Sequence, residues 1–205
     1  MASQPARAPQ LVVLLHGVGG VPADMAPLGE RIAAAHPHAR IAAPPAAHAY
    51  DLGPRGHQWF SVDGITEENR PARIDAALPA FAATVRALQR AHGVKPERTV
   101  LAGFSQGAIM ALAACARERL AGQVLAIAGR FAPLPARWES GAAVGLVHGR
   151  MDGIMPVAHS EQAARRLEAL GVPVRLELVP RAVHMLSPPI LEAALRAWHG
   201  MPPHG

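Results

Sequence analysis

Short apolar runs alternate along the chain with segments whose apolar residues recur every three or four positions. The runs begin near residues 10, 40, 98, 123, 143 and 174. Most are nearly continuous and rich in leucine and valine, which is typical of parallel strands covered on both faces. The pattern predicts an α/β fold with a mainly parallel sheet of about six to seven strands and helices on both faces.

The clearest helical pattern covers about residues 71 to 92. Its apolar stripe consists of Ile74, Leu78, Phe81, Val85 and Leu88. Pro71 suits a first helical turn, Pro79 predicts a kink, and Gly93 predicts the end of the helix. Residues 44 to 70, rich in glycine and proline, predict a long irregular loop, and such loops inside compact domains are usually functional or disordered.

A length of 205 residues favours one domain, which we place at 10–200 between a flexible lead (1–9) and a tail (201–205). No apolar run approaches the roughly 20 residues that cross a bilayer, so no stable membrane insertion is expected. The first ten residues carry one arginine and no apolar stretch, unlike a signal peptide. We therefore expect a cytoplasmic protein.

Composition removes several classes of function. Cys115 is the only cysteine, which excludes an internal disulfide and a cysteine-rich zinc site. The net charge is +5, but the arginines are scattered, so no nucleic-acid partner is expected. His36 and His38 lack a third ligand at suitable spacing, and neither a metal nor a cofactor is expected.

Chemistry in a parallel sheet is sought just beyond the carboxyl ends of the strands. One such position holds Ser105 in the sequence Gly103-Phe104-Ser105-Gln106-Gly107. A G-x-S-x-G motif between a strand and a helix is typical of the nucleophile elbow, whose tight turn requires small flanking residues. The motif predicts that Ser105 is a catalytic nucleophile.

The order of residues along the chain supplies two partners for this serine. In this kind of fold the acid and the histidine follow the nucleophile in that order. Asp152 is the only aspartate after Ser105, and His184 is the only later histidine that follows a predicted strand in a loop. We therefore predict a triad in which His184 is the general base and Asp152 orients it. Val18, in a glycine-rich turn, and Gln106 are the predicted backbone donors to an oxyanion.

Four segments resemble a known family. "LLHGVGG", "GFSQGAIM", "HGRMDGIMP" and the late His184 are similar to the phospholipase/carboxylesterase family of α/β-hydrolases, which includes bacterial carboxylesterases and acyl-protein thioesterases. The segment "GHQWFSVDGITEENRPARIDAALP" resembles a proteobacterial esterase branch. The resemblance implies the α/β-hydrolase fold, the same triad and the same oxyanion donors.

These observations predict a serine carboxylesterase that hydrolyses short- to medium-chain esters through an acyl-enzyme. Trp59 and Phe60 are candidates for an apolar wall of the site, with a loop anchor as the alternative. Phe131 and Leu134 are candidates for a second wall, and Met155 is a further candidate for substrate contact. The segment 129–142 is too short for a large cap domain, so we expect an open site.

Other functions stay open at this stage. The expected partner is a small-molecule ester or thioester, and acyl-protein thioesterase or lysophospholipase activity would use the same triad. A non-catalytic binding protein on a hydrolase fold is the alternative of another class. Nucleotide binding is disfavoured, because Pro22 stands where the third glycine of G-x-G-x-x-G belongs. A homodimer is possible.

Overall fold

The computed structural model describes residues 10–202, which contain eight strands. They are β1 (Gln10–Leu15), β2 (Ala39–Ala42), β3 (His48–Ala49), β4 (His57–Gln58), β5 (Thr99–Phe104), β6 (Gln123–Ile127), β7 (Ala143–Gly149) and β8 (Val174–Val179). Six of them form one sheet in the order β2-β1-β5-β6-β7-β8, with every neighbouring pair parallel. β3 and β4 form a separate antiparallel hairpin. The predicted lead, 1–9, lies outside the described residues, and so does the end of the predicted tail, 203–205.

Helices cover both faces of the sheet. They are α1 (Ala26–Ala35), α2 (Arg70–His92), α3 (Gln106–Arg117), α4 (Ala158–Ala169) and α5 (Pro188–His199). Buried residues of α2, α3 and α4 share one apolar cluster, and those of α1 and α5 share a second cluster on the opposite face. The alternation of short apolar runs with helical segments therefore predicted the architecture correctly.

The strand β1 shows how the sheet separates the two clusters. Leu11, Val13 and Leu15 belong to the cluster with α2 and α3, whereas Val12 and Leu14 belong to the cluster with α1. Successive side chains of a strand point to opposite faces, so a continuous apolar run serves two cores. Burial of such a side chain contributes roughly 1.5–3 kcal/mol to folding.

The long helix α2 continues through Pro79 without ending. Its C-terminal boundary is set by Gly93, whose φ of 61° lies in the left-handed region that glycine adopts at low cost. The predicted end at Gly93 is confirmed. The kink predicted at Pro79 stays a prediction, since a kinked helix also spans residues on both sides of its proline.

Two irregular segments border the carboxyl ends of the strands. The 44–70 segment is mostly irregular, as predicted, but it contains the β3–β4 hairpin. The 129–142 segment has no helix or strand, and no cap domain is inserted among the described residues. Within residues 10–202 no helix combines the length and the apolar character that crossing a membrane requires.

Candidate active site

The turn between β5 and α3 places Ser105 at the carboxyl edge of the sheet. Ser105 has φ 52° and ψ −115°, a conformation that non-glycine residues rarely adopt and that costs about 1–3 kcal/mol. The flanking glycines make the turn possible because neighbouring backbone atoms lie where a side chain would otherwise be. A Cβ at Gly103 would lie 2.5 Å from the Ala108 nitrogen, and one at Gly107 would lie 2.2 Å from the Leu15 carbonyl oxygen.

Ser105, His184 and Asp152 form a continuous hydrogen-bonded chain. His184 Nε2 lies 3.0 Å from Ser105 Oγ, and His184 Nδ1 lies 2.6 Å from Asp152 Oδ2. Asp152 follows β7 and His184 follows β8, so three separate strand ends supply the three side chains. A carboxylate only accepts hydrogen bonds at neutral pH, so Nδ1 carries the proton and Nε2 presents its lone pair to the serine.

The turn after β7 holds Asp152 in its ionised form. Its other oxygen, Oδ1, accepts the N–H groups of Ile154 at 2.9 Å and Met155 at 2.7 Å. Burial raises the pKa of Asp152, but the hydrogen bonds from Met155 and His184 outweigh it and place the pKa below its ordinary value. The carboxylate therefore stays charged and fixed in direction.

A second histidine, His148, also lies against Asp152. It is completely buried, and its Nε2 lies 2.7 Å from the Met155 carbonyl oxygen and 3.3 Å from Asp152 Oδ2. A carbonyl accepts but never donates, so Nε2 carries the proton and Nδ1 accepts from the Ser160 hydroxyl at 2.7 Å. Burial lowers the pKa of His148. The sequence did not predict the contact of His148 with Asp152, although the spacing of four residues in "HGRMD" is compatible with it.

The glycine-rich turn after β1 lies beside Ser105. A Cβ at Gly17 would lie 3.3 Å from the Cβ of Ser105. The turn is tied to the hairpin, because the Gly19 N–H donates to the His57 carbonyl at 2.8 Å and the His57 N–H donates to the Gly20 carbonyl at 2.9 Å. Within residues 10–202, no hydrogen bond from the N–H of Val18 to another residue is present. Val18 also lines the cavity that contains Ser105, and its role as an oxyanion donor stays a prediction.

The Gln106 side chain joins α3 to the 44–70 segment. It is buried, its Oε1 accepts the Trp59 N–H at 2.7 Å, and its Nε2 donates to the Phe60 carbonyl at 2.7 Å. Its backbone N–H, at the first position of α3, has no helical partner. Sequence analysis had assigned only this backbone group, and the clamp made by the side chain was not foreseen.

Trp59 is an anchor of the loop and not a wall of the site. Only 3% of it is exposed, its indole N–H donates to the His16 carbonyl at 2.9 Å, and its ring packs edge-on against Phe81. The residue does not line the cavity that contains Ser105. The structure thus favours the alternative interpretation of Trp59, because its indole is engaged by His16 and Phe81 and lines neither cavity at the triad.

Two cavities meet at the serine and its histidine. One of about 410 Å³ contains Ser105, and Phe60 and Met155 line it as expected. The other, of about 350 Å³, contains His184, and Val18 lines both. Phe131 and Leu134 line neither of these two. Both line a cavity of about 540 Å³ beside α2 and α3, and a smaller one of about 240 Å³ that shares three lining residues with the Ser105 cavity. Their contact with the substrate stays a prediction.

Three charged residues also line the cavity of Ser105, and sequence analysis missed them. They are Glu67, Arg70 and Arg130. Arg130 lies 60 or more positions from the other two, near the start of the irregular segment after β6, so no local pattern pairs them. Among the described residues, no cluster of three histidine, cysteine or acidic side chains is arranged to hold a metal ion.

Comparison with solved structures first defines the class of the fold. Esterase PE8 superposes with a TM-score of 0.83 at 30% identity, over 94% of this chain and 93% of that one. A carboxylesterase from Mesorhizobium loti superposes with a TM-score of 0.76 at 22% identity, over 94% and 89% of the two chains. The sheet order and the helices on both faces are those of an α/β-hydrolase.

Sequence comparison then defines the family. The model of the phospholipase/carboxylesterase family matches residues 1–197. Esterase YpfH of Escherichia coli (strain K12) is 40% identical over 189 residues, which cover 92% of this chain and 81% of the relative. The chain belongs to the phospholipase/carboxylesterase family, and the resemblance that the motifs indicated is confirmed.

Proposed function

We propose that the protein is a serine carboxylesterase that hydrolyses short- to medium-chain carboxylic esters through an acyl-enzyme intermediate. The chain of hydrogen bonds from Asp152 through His184 to Ser105 carries this proposal. It lies at the carboxyl edge of a parallel sheet, beside two cavities of about 410 and 350 Å³. Membership of the phospholipase/carboxylesterase family supports the same reaction class.

In the first half-reaction Ser105 Oγ attacks the ester carbonyl carbon while His184 Nε2 takes the serine proton. Charge develops on the carbonyl oxygen, which the backbone N–H groups of Val18 and Gln106 stabilise. Loss of one such donor typically costs a factor of about 10²–10³ in rate. His184 then donates the proton to the leaving alkoxide, and the alcohol departs.

In the second half-reaction a water molecule takes the place of the alcohol. His184 accepts a proton from this water as the oxygen attacks the acyl carbon, and it returns the proton to Ser105 as the acid leaves. Asp152 keeps the proton on Nδ1 and stabilises the imidazolium at both stages. The two N–H bonds to its Oδ1 fix the carboxylate during this cycle.

Thioester and lysophospholipid substrates pass through the same tetrahedral intermediate, so the triad accepts them too. The carboxylesterase assignment is favoured because the relatives and solved structures similar to this chain include esterases and a carboxylesterase. A non-catalytic role is disfavoured, because it would not explain the strained backbone at Ser105 or the complete hydrogen-bonded chain of Ser105, His184 and Asp152. A cytoplasmic location and a homodimer stay predictions, for fractionation and sedimentation to test.

Hydrolysis of p-nitrophenyl acetate and butyrate tests the proposal. We expect turnover by the native chain and its loss in Ser105→Ala. Ser187→Ala is the control, because the Ser187 side chain makes no capping hydrogen bond. A fluorophosphonate should add once, at Ser105, by intact and peptide mass spectrometry. Full turnover in Ser105→Ala, or an adduct on another residue, contradicts the proposal.

A further inference from the structure

The cavity that contains Ser105 has an ionic cluster in its wall. Both nitrogens at the end of the Arg130 side chain contact the Glu67 carboxylate, at 3.0 and 2.6 Å, and Arg70 Nη2 lies 3.1 Å from Glu67 Oε1. The side chains of Arg70 and Arg130 are only 17% and 14% exposed, whereas that of Glu67 is 61% exposed. The two cations are thus held away from bulk water and share a single anion.

The cluster gives the cavity a net positive charge. The hydrogen bond from Arg130 holds the pKa of Glu67 below its ordinary value, so this carboxylate is charged at neutral pH. His159 also lines the cavity; burial, followed by the charge of Arg130, lowers its pKa and keeps it neutral there. Two arginines and one glutamate leave one positive charge, which is weakly screened because the guanidinium groups are largely buried.

Arg70 retains hydrogen-bonding capacity. A guanidinium has five N–H donors, and the bond to Glu67 uses one of them. Its Nε is buried and has no partner among the described residues. Unpaired buried donors are rare in folded proteins, and each one requires an explanation. The Arg70 guanidinium therefore has donors left over for an anion in the cavity.

The two cavities correspond to different parts of an ester. His184 protonates the departing alcohol, and the cavity that His184 lines therefore receives the alcohol part. Asp24 also lines that cavity, which disfavours an anion there. The cavity with Ser105, Arg70 and Arg130 is left for the acyl part. The charge difference between the cavities points to a negative charge on the acyl part of the substrate.

We propose that the protein prefers esters whose acyl group ends in a carboxylate, namely half-esters of short dicarboxylic acids, with Arg70 and Arg130 holding the distal carboxylate. This inference rests on the proposed serine esterase function and adds a substrate class to it. The reaction consumes one half-ester and one water and yields one dicarboxylate and one alcohol, so no further reactant is needed. A charge-assisted contact with a guanidinium is among the stronger hydrogen bonds in proteins.

Hydrolysis of three ethyl or acetyl esters, followed by pH-stat titration, tests the preference. Monoethyl adipate carries the anion on the acyl side, ethyl hexanoate is its neutral analogue, and 4-acetoxybutanoate carries the anion on the alcohol side. We expect the largest kcat/KM for monoethyl adipate. Monoethyl succinate and glutarate then define the best spacing. Equal or larger kcat/KM for ethyl hexanoate, or for 4-acetoxybutanoate, overturns the proposal while leaving the esterase function intact.

Substitutions in the ionic cluster test whether it recognises the distal carboxylate of the substrate or only holds two loops together. Arg70→Gln makes the cavity neutral and should lower the ratio of kcat/KM for monoethyl adipate to that for ethyl hexanoate by about tenfold, the equivalent of about 1.4 kcal/mol. Glu67→Gln adds a positive charge and should raise the same ratio. A tie between loops predicts instead that both variants lose activity on the two substrates equally, and that result overturns the proposal.

Arg86→Gln is the matched control, because Arg86 pairs with Glu118 outside both cavities. Its ratio should equal that of the native chain. If Arg70→Gln does not fold, adipate gives a second measurement on the native chain. Adipate should inhibit ethyl hexanoate hydrolysis competitively and more strongly than hexanoate does. Weaker inhibition by adipate than by hexanoate counts against the anion site.

Discussion

Asp152 lies between two histidines whose surroundings differ sharply. His148, near the end of strand β7, is fully buried, and its two ring nitrogens contact Ser160 and Met155. His184, in the loop after β8, is bound to Asp152 through one nitrogen and presents the other to Ser105. The loop around it is open, since Val183 and Met185 are 48% and 58% exposed.

The difference shows how one side chain type serves two purposes around one carboxylate. A histidine with both nitrogens engaged inside the core orients its neighbours but has no free lone pair for a substrate proton. A histidine with one engaged nitrogen is fixed in tautomer and still able to accept a proton. The surroundings, and not the residue type, therefore distinguish His184, the proposed base, from His148, which we expect to orient Asp152.

The largest expected effect is that of removing the exposed histidine. His184→Gln should lower kcat for p-nitrophenyl butyrate by about 10⁴- to 10⁶-fold, because the serine then has no base. Stopped-flow or steady-state absorbance measurements give the rate, and circular dichroism shows whether the variant is folded. His92→Gln, at the end of α2 and outside both cavities, is the control and should retain native activity. A loss below tenfold in His184→Gln contradicts its role as base.

Asp152→Asn should come next, with a loss of about 10⁴-fold in kcat. An amide can donate to Nδ1, which stabilises the wrong tautomer of His184 and removes the negative charge beside the imidazolium. The matched change at the neighbouring acid, Glu161→Gln in α4, should have little effect. If Asp152→Asn retains more than a tenth of the native kcat, the proposed role of the Asp152 carboxylate in orienting His184 is wrong.

His148→Phe should have a smaller effect, a loss of about 10–100-fold in kcat, the range seen when orienting partners are removed. KM should change little, since His148 lines neither cavity at the triad. His148→Gln retains a donor near the position of Nε2 and should recover part of the loss. If His148→Phe lowers kcat only in proportion to the fraction of folded protein, and His148→Gln recovers none of the loss, then His148 has a purely structural role.

The same histidine should make stability depend on pH. Burial lowers the pKa of His148 in the folded state, so the unfolded chain binds more protons on acidification. The free energy of unfolding is then fully retained above the unfolded pKa of about 6.5 and falls as the pH drops below it. Urea titrations from pH 8 to 5 should show a shallower fall in His148→Gln. An unchanged slope contradicts this assignment.

The smallest expected effect is that of Ser160→Ala. It removes the hydroxyl donor to His148 Nδ1 and leaves a buried acceptor unpaired, at a cost of about 1–3 kcal/mol in the free energy of unfolding. Activity should fall only a few-fold, because the contact of His148 with Asp152 remains. Ser187→Ala, measured in the same denaturation assay, is the control: its free energy of unfolding should change less than that of Ser160→Ala.

The fold was predictable because its signals are local. Each buried strand is an apolar run, and the helices carry apolar stripes or boundary residues such as Gly93. The triad geometry was predictable because the carboxyl ends of parallel strands meet at one edge, so residues just after β5, β7 and β8 had to approach one another. The catalytic roles themselves stay predictions until the variants are measured.

The rest of the site depends on side-chain placement inside irregular segments. Trp59 was expected at the substrate, but aromatic rings in a loop also serve as anchors, and periodicity does not separate the two uses. The clamp made by Gln106 and the cluster of Arg70, Arg130 and Glu67 join residues distant in sequence. No pattern in the chain pairs such residues, because loop conformation decides where they meet.

The β3–β4 hairpin, which is tied to the glycine-rich turn, has a fixed base and an exposed tip. At the base, a Cβ on Gly56 would lie 2.0 Å from the Gly19 carbonyl oxygen, so the two backbones touch. At the tip, residues 51–55 are largely exposed, and Leu52 is 57% exposed. Longer sequences can therefore be inserted between Leu52 and Gly56 without removing the Tyr50 N–H···Gly56 O=C bond that closes the tip at 3.1 Å. The glycine-rich turn at the hairpin base would keep its shape, so the tip should tolerate insertions that leave the triad in place.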